Sequence, residues 1–169
     1  MESTTKLYSL SYTKATTYLF ASLFVMGNII FPQLCHLAHW GGPVMLPIYF
    51  FTLIGAYKYG WRVGLLTAVF SPWINHVLFG MPSLAVLPFI WIKSALLVAA
   101  AGFMASRFRR ITIPVLLGVV LAYQVTGTLM EWVLTGDFYL AAQDFRMGVP
   151  GMLFQVVGGY ALLKAIAGR

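Results

Sequence analysis

Apolar residues gather into six blocks along this chain, at about 15–34, 43–57, 61–79, 84–106, 112–134 and 148–167, with polar and turn-forming residues between them. A helix needs roughly 20 residues to cross the hydrocarbon of a bilayer. The pattern therefore predicts an all-α integral membrane protein, a six-transmembrane-helix bundle forming a single membrane domain over 1–169. The second block is short and contains Pro47, and Pro72 lies inside the third. Short connections make consecutive helices neighbours. Small residues recur at four-residue spacing (Thr17/Ala21, Gly60/Gly64, Ala101/Ala105, Gly118/Ala122, Ala161/Ala165). Such pairs let helix backbones approach closely in lipid, and ordinary bundle packing accounts for them.

The basic residues divide the connections into two kinds. Lys6 and Lys14 precede the first block, and Lys58 and Arg62 lie between the second and third. Arg107, Arg109 and Arg110 lie between the fourth and fifth, and Lys164 and Arg169 close the sixth. The opposite connections carry only Arg146. Lysine and arginine accumulate on cytoplasmic loops, so both termini are expected in the cytoplasm and the other loops outside. The remaining cation, Lys93, falls inside the fourth block, about nine residues or ~14 Å from its outer end at helical rise. A buried ammonium in a membrane is by default a functional-site hypothesis.

Composition narrows the class. The chain is 60% hydrophobic and only 9% charged, far less charge than a soluble domain carries. The net charge of +7 is spread over the inner loops, which suits topology and anionic headgroups rather than nucleic acid. One cysteine allows no internal disulfide. The stretch 15–31 could pass for a signal peptide, but Pro32-Gln33-Leu34 is a poor cleavage site, so it is read as a retained first helix.

Polar residues inside the blocks outline a candidate site. Glu131 is the only acid within any block, about one turn from the outer end of the fifth. Gln124, Thr128 and Glu131 share one helical face by their spacing. Ser71 and Asn75 do the same on the third block, beside His76, and the sixth offers Gln155. Lipid cannot satisfy such groups, so they are expected to face inward. Together they predict a polar-lined chamber opening outward, ringed by Trp40, Trp91, Trp132 and Tyr139, in the manner of a small-molecule pocket. The same residues admit plainer roles. Lys93 and Glu131 could be a structural ion pair fixing helix register, and Asn75, Thr128 and Gln155 could be interhelical glue. The aromatics could belong to the interfacial belt.

The outward connections are rich in Gly and Pro. The first reads Cys35-His36-Leu37-Ala38-His39-Trp40-Gly41-Gly42-Pro43, the second is a Gly80–Ser83 turn, and 136–147 holds Asp137, Asp144 and Arg146. Irregular backbone near membrane depth survives when it is buried in protein or lines a cavity, so these loops are expected to form a lid. Cys35, His36, His39 and His76 all lie on this side; they could ligate a metal or tetrapyrrole, though their spacing is not a zinc motif and capping or interfacial roles account for the histidines better. No nucleophile–base set, paired carboxylates within one block or phosphate-binding glycine loop is present. The chain is accordingly read as neither an enzyme nor a holder of a cofactor or metal.

At Gly41-Gly42 with Leu46-Pro47, then Gly55, Gly60 and Gly64, Ser71-Pro72 and Gly80-Met81-Pro82, the chain resembles the substrate-binding S component of energy-coupling factor (ECF) transporters. The resemblance implies a six-helix subunit that binds a vitamin or related micronutrient from outside. It also implies assembly with a transmembrane coupling subunit and two cytoplasmic ATPases in a bacterial or archaeal cytoplasmic membrane. It places the pocket near the outer surface, at positions matching the 35–42 loop with His36, His39 and Trp40, the 75–81 region with Asn75, and Lys93, Glu131 and Gln155; Thr128 lies on the same face as Glu131. Family members are thought to topple in the membrane when docked. The nearest match to the family's helix-one docking residues is Thr17 with Ala21. Many relatives carry an acid where this chain has Lys93, so the resemblance favours a carboxylate- or phosphate-bearing substrate unless Glu131 neutralises the lysine. The competing expectation is a non-transport structural membrane protein of the same six-helix fold.

Overall fold

The computed structural model describes residues 7–39 and 41–167; Lys6, Trp40 and Arg169 lie outside them. Among the described residues all regular structure is helical. In chain order it comprises α1 (Ala15–Leu37), α2 (Gly42–Met45), a 3-10 turn (Pro47–Tyr49), α3 (Phe50–Tyr59), α4 (Trp61–Phe79), α5 (Leu87–Phe108), α6 (Ile113–Thr135), α7 (Phe138–Ala141), α8 (Gln143–Met147) and α9 (Val149–Ala167). Four of these, α1, α5, α6 and α9, are long and apolar enough to cross a membrane, which makes the chain a multi-pass membrane protein. Helix α4 also has 19 residues, but Arg62, Thr67, Ser71, Asn75 and His76 lower its hydropathy.

The second predicted block departs most from expectation. It is not one helix over 43–57 but α2, a left-handed Leu46 (φ 46°), the 3-10 turn and a ten-residue α3. Pro47 supplies no N–H to continue α2 and disfavours helical backbone at the residue before it. At about 1.5 Å per residue α3 rises only ~15 Å, half the hydrocarbon. Helix α5 begins at Leu87 rather than 84, with Pro88 in its first turn. Lys93 is therefore only six residues, roughly 9 Å, from the start of its helix.

The outer surface is apolar, unlike that of a soluble protein. Leu19, Leu23, Met26, Ile30 and Leu34 form an exposed stripe on α1, and Leu117, Leu121, Val125, Leu129 and Val133 form one on α6. Inside are Thr17, Asn28, Thr52, Thr67, Ser71 and Gln124 among other polar side chains. Exposed apolar stripes of this extent would drive aggregation in water, whereas acyl chains match them. Asn28 on α1 organises the interior. Its Nδ2 donates to Thr52 Oγ1 (3.0 Å) and Ser71 Oγ (3.2 Å), and its Oδ1 accepts from the Phe51 N–H (3.1 Å). One side chain thus ties α1 to α3 and α4. Helices α3 and α4 approach closely because Gly64 has no side chain; a Cβ there would stand 2.5 Å from Ala56 Cβ.

The two ends of the bundle differ. At one, residues 7–10 lie along the end of α3, with the Tyr8 N–H donating to the Lys58 carbonyl (2.8 Å) and the Leu10 N–H to that of Tyr59 (3.2 Å). The Tyr57 hydroxyl donates to the Arg110 carbonyl, and Arg62 Nη1 reaches the Leu10 carbonyl (3.4 Å). Lys58, Arg62 and Arg110 therefore gather at this basic end. At the other end the 41–49, 80–86 and 136–148 connections converge over a cavity. Of the small-residue pairs, Thr17/Ala21 and Ala101/Ala105 are buried in the bundle. Thr17 and Ala21 are consequently not available as a docking face; Ala161 and Ala165 are exposed.

Candidate functional site

Lys93 is 2% exposed and sits between two carboxylates. Its Nζ lies 2.6 Å from Glu131 Oε2 on α6 and 2.7 Å from Asp144 Oδ2 on α8. The Asp144 contact is a well-formed hydrogen bond, whereas the Glu131 oxygen lies off hydrogen-bond angle and forms a close ion pair. Room for the lysine comes from Gly127, one turn before Glu131, where a Cβ would stand 2.7 Å from Lys93 Cγ. The sequence offered Glu131 as a partner for Lys93, and the structure pairs the two directly. Asp144, 51 positions away in the chain, completes a triad whose formal charges of one plus and two minus leave one excess negative charge.

A cavity of about 400 Å³ adjoins this triad. Pro32, Gln33 and His36 of α1 line one side and Pro43 and Leu46–Tyr49 another. Asn75, the 80–83 turn, Val86 and Ile90 supply the remainder, and Asp144 forms the polar boundary with the triad. The turn is fixed to α4 by His76, whose Nδ1 lies 2.8 Å from the Pro82 carbonyl. Because a carbonyl only accepts, the proton belongs on Nδ1.

Asn75 is the most informative residue of the wall. It is 2% exposed, and its Nδ2 donates to the carbonyls of Asn28 (3.0 Å) and Ser71 (2.9 Å). Those two bonds fix which end of the amide is which, and the Oδ1 has no partner. Ser94 Oγ, Thr128 Oγ1 and both ends of Gln124 are likewise buried without a protein partner. Leaving such a group unsatisfied costs about 1–3 kcal/mol, and of these residues Asn75 is the one that lines the cavity.

The predicted site residues separate into groups. His36 and Asn75 line the cavity; Lys93 and Glu131 lie behind Asp144. Thr128 is buried near the triad's helix face without lining the cavity. Gln155 is occupied by structure, its Oε1 accepting from the Tyr123 hydroxyl (2.9 Å) and its Nε2 donating to the Leu46 carbonyl (3.5 Å). His39 is exposed with left-handed backbone (φ 60°), away from the lining, and Trp40 is outside the described residues. Of the expected aromatic ring, the three described members do not line the cavity. Trp91 Nε1 donates to the Val69 carbonyl (3.0 Å), Trp132 packs edge-on against Phe138, and Tyr139 carries the Arg146 guanidinium 4.0 Å above its ring. Tyr49 is the aromatic that lines the cavity instead. Sequence reasoning missed Asp144 and Asn28. Asp137 and Asp144 looked equivalent, and only the fold shows that Asp137 caps α7, accepting from the Leu140 N–H (3.0 Å). Cys35 is buried on α1, and among the described residues no three His, Cys, Asp or Glu side chains are placed to share a metal ion.

Fold and site define a class: an all-helical, multi-pass membrane protein with a small-molecule-sized cavity bounded by a buried ion triad. No protein-family model, curated protein or solved structure matches the chain.

Proposed function

We propose that this chain is the substrate-binding S component of an ECF-type importer for a vitamin or related micronutrient. The observation that carries the reading is the cavity walled by His36, Asn75 and Asp144 at the end opposite the basic connections. Its ~400 Å³ is within the range of small-molecule pockets. In this reading α2 with α3 and α4 serve as the second and third of six crossings. The basic end faces the cytoplasm of a bacterium or archaeon, as the positive-inside rule directs, and the cavity opens outward. Nucleotide hydrolysis then belongs to two cytoplasmic ATPases, joined through a transmembrane coupling subunit.

One observation favours the other reading, a structural membrane protein of the same fold: Lys93 and Glu131 are paired directly. A pair that served register alone would not require an open chamber beside it, and buried polar atoms without partners are costly to keep. Mass spectrometry of small molecules released from protein purified in mild detergent separates the two. A stoichiometric organic compound supports substrate binding. Protein with no such compound, and no rise in melting temperature across a water-soluble vitamin panel, supports the structural reading.

A further inference from the structure

Resting on the substrate-binding reading, we infer that the cavity takes a cationic ligand, an amine or ammonium bearing N–H donors, rather than a carboxylate or phosphate. The sequence, with Lys93 in the middle of an apolar block, pointed the other way. In the fold the ammonium is already claimed by two carboxylates, and the triad carries a net negative charge. Its member that lines the cavity is an acid: Asp144 is 27% exposed, its Oδ2 holding Lys93 while its Oδ1 carries no hydrogen bond from the described residues. An anion entering the cavity would meet this carboxylate before it reached the lysine behind it. At a few ångströms and low effective dielectric, like charges repel by several kcal/mol.

A second observation is independent of the charges. Asn75 presents an unpartnered buried acceptor, its amide nitrogen being committed to two carbonyls. Four prolines, Pro32, Pro43, Pro47 and Pro82, line the same space, and proline has no backbone N–H to offer. Anions are bound by converging N–H donors and by guanidinium or ammonium groups; among the described residues the wall holds no arginine or lysine. His36, Gln33, Tyr49 and Ser83 supply adaptable polar contacts. A carboxylate and an unpartnered buried amide oxygen, next to excess negative charge, describe a receptor for a donor-rich cation.

The test uses the full chain in mild detergent, incubated with an equimolar mixture of thiamine, ethanolamine, pyridoxamine, biotin, pantothenate and nicotinate. The protein is then desalted and the retained compounds quantified by mass spectrometry. Retention from the three nitrogen-cation compounds is expected. Asp144→Asn should lower that retention at least tenfold while eluting as a single species, and Asp144→Glu should restore most of it. Retention of biotin, pantothenate or nicotinate overturns the charge assignment while leaving substrate binding intact, as does cation retention that Asp144→Asn leaves unchanged. Retention of none of the six counts against the binding reading itself, and the charge assignment falls with it.

Discussion

Gly127 lies directly beneath the stem of Lys93: a methyl group on its α-carbon would stand 2.7 Å from Lys93 Cγ. The lysine cannot swing away freely, because its ammonium is held by Glu131 and Asp144 at 2.6 and 2.7 Å. Gly127→Ala should therefore overpack the α5–α6 contact and destabilise the protein by about 1–3 kcal/mol. The comparison is Gly118→Ala on the same helix, where the new methyl would meet the flexible end of Met104 at 3.4 Å. Thermal melting in detergent should show a clear loss for the first substitution and almost none for the second. Equal melting temperatures would contradict the packing described.

The triad predicts an asymmetry among its own variants. Lys93→Met leaves two carboxylates together without their cation, and breaking a buried ion pair from one side costs about 3–5 kcal/mol. Glu131→Gln or Asp144→Asn leaves the ammonium one carboxylate and should cost less. Replacing all three, as Lys93→Met with Glu131→Gln and Asp144→Asn, removes every formal charge and should recover much of the stability lost by Lys93→Met alone. Melting curves of the four proteins decide the matter. A triple variant no more stable than Lys93→Met would mean that the charges are not coupled.

The all-helical class, the long helices and the inward-facing Asn75, Lys93, Gln124 and Gln155 were legible in the sequence, because lipid leaves buried polar groups no other place. Tertiary matters were not. Pro47 was visible, but whether it kinked or broke the second block depended on the backbone at Leu46. Lys93 was visible as unusual, yet its depth shifted when α5 began three residues late, at a proline. Its chemistry reversed in sign once Asp144 arrived from a loop 51 positions away. No periodicity within a helix encodes that meeting. Gln155 shows the converse: a polar residue in a membrane helix signals a partner, and here the partners are Tyr123 and Leu46 rather than a ligand.

Asn28 lies among apolar neighbours in the middle of α1, and the fold makes it a keystone. Asn28→Leu removes bonds to Thr52 and Ser71 and leaves the Phe51 N–H without its acceptor. Interhelical hydrogen bonds in membranes are worth about 0.6 kcal/mol on average, and an orphaned buried N–H adds ~1–3 kcal/mol. A total near 2–4 kcal/mol follows from these two terms. Amide hydrogen exchange should locate the damage, with faster exchange at the start of α3 and little change in α6. Uniform acceleration through the bundle would show that Asn28 acts globally instead.

The orientation proposed here can be read with one chemical probe, because the chain has a single cysteine and Cys35 is buried at 3% exposure. The unmodified protein should resist a membrane-impermeant maleimide in intact cells. In a Cys35→Ser background, Tyr139→Cys occupies an exposed position at the cavity end and should react from outside. Arg109→Cys occupies the opposite, basic end and should react only after the membrane is permeabilised. The asymmetry follows from the distribution of lysine and arginine, which resist translocation. Labelling of Arg109→Cys in intact cells, with Tyr139→Cys protected, would invert the topology. The cavity would then open to the cytoplasm, a geometry incompatible with capture of a nutrient from outside.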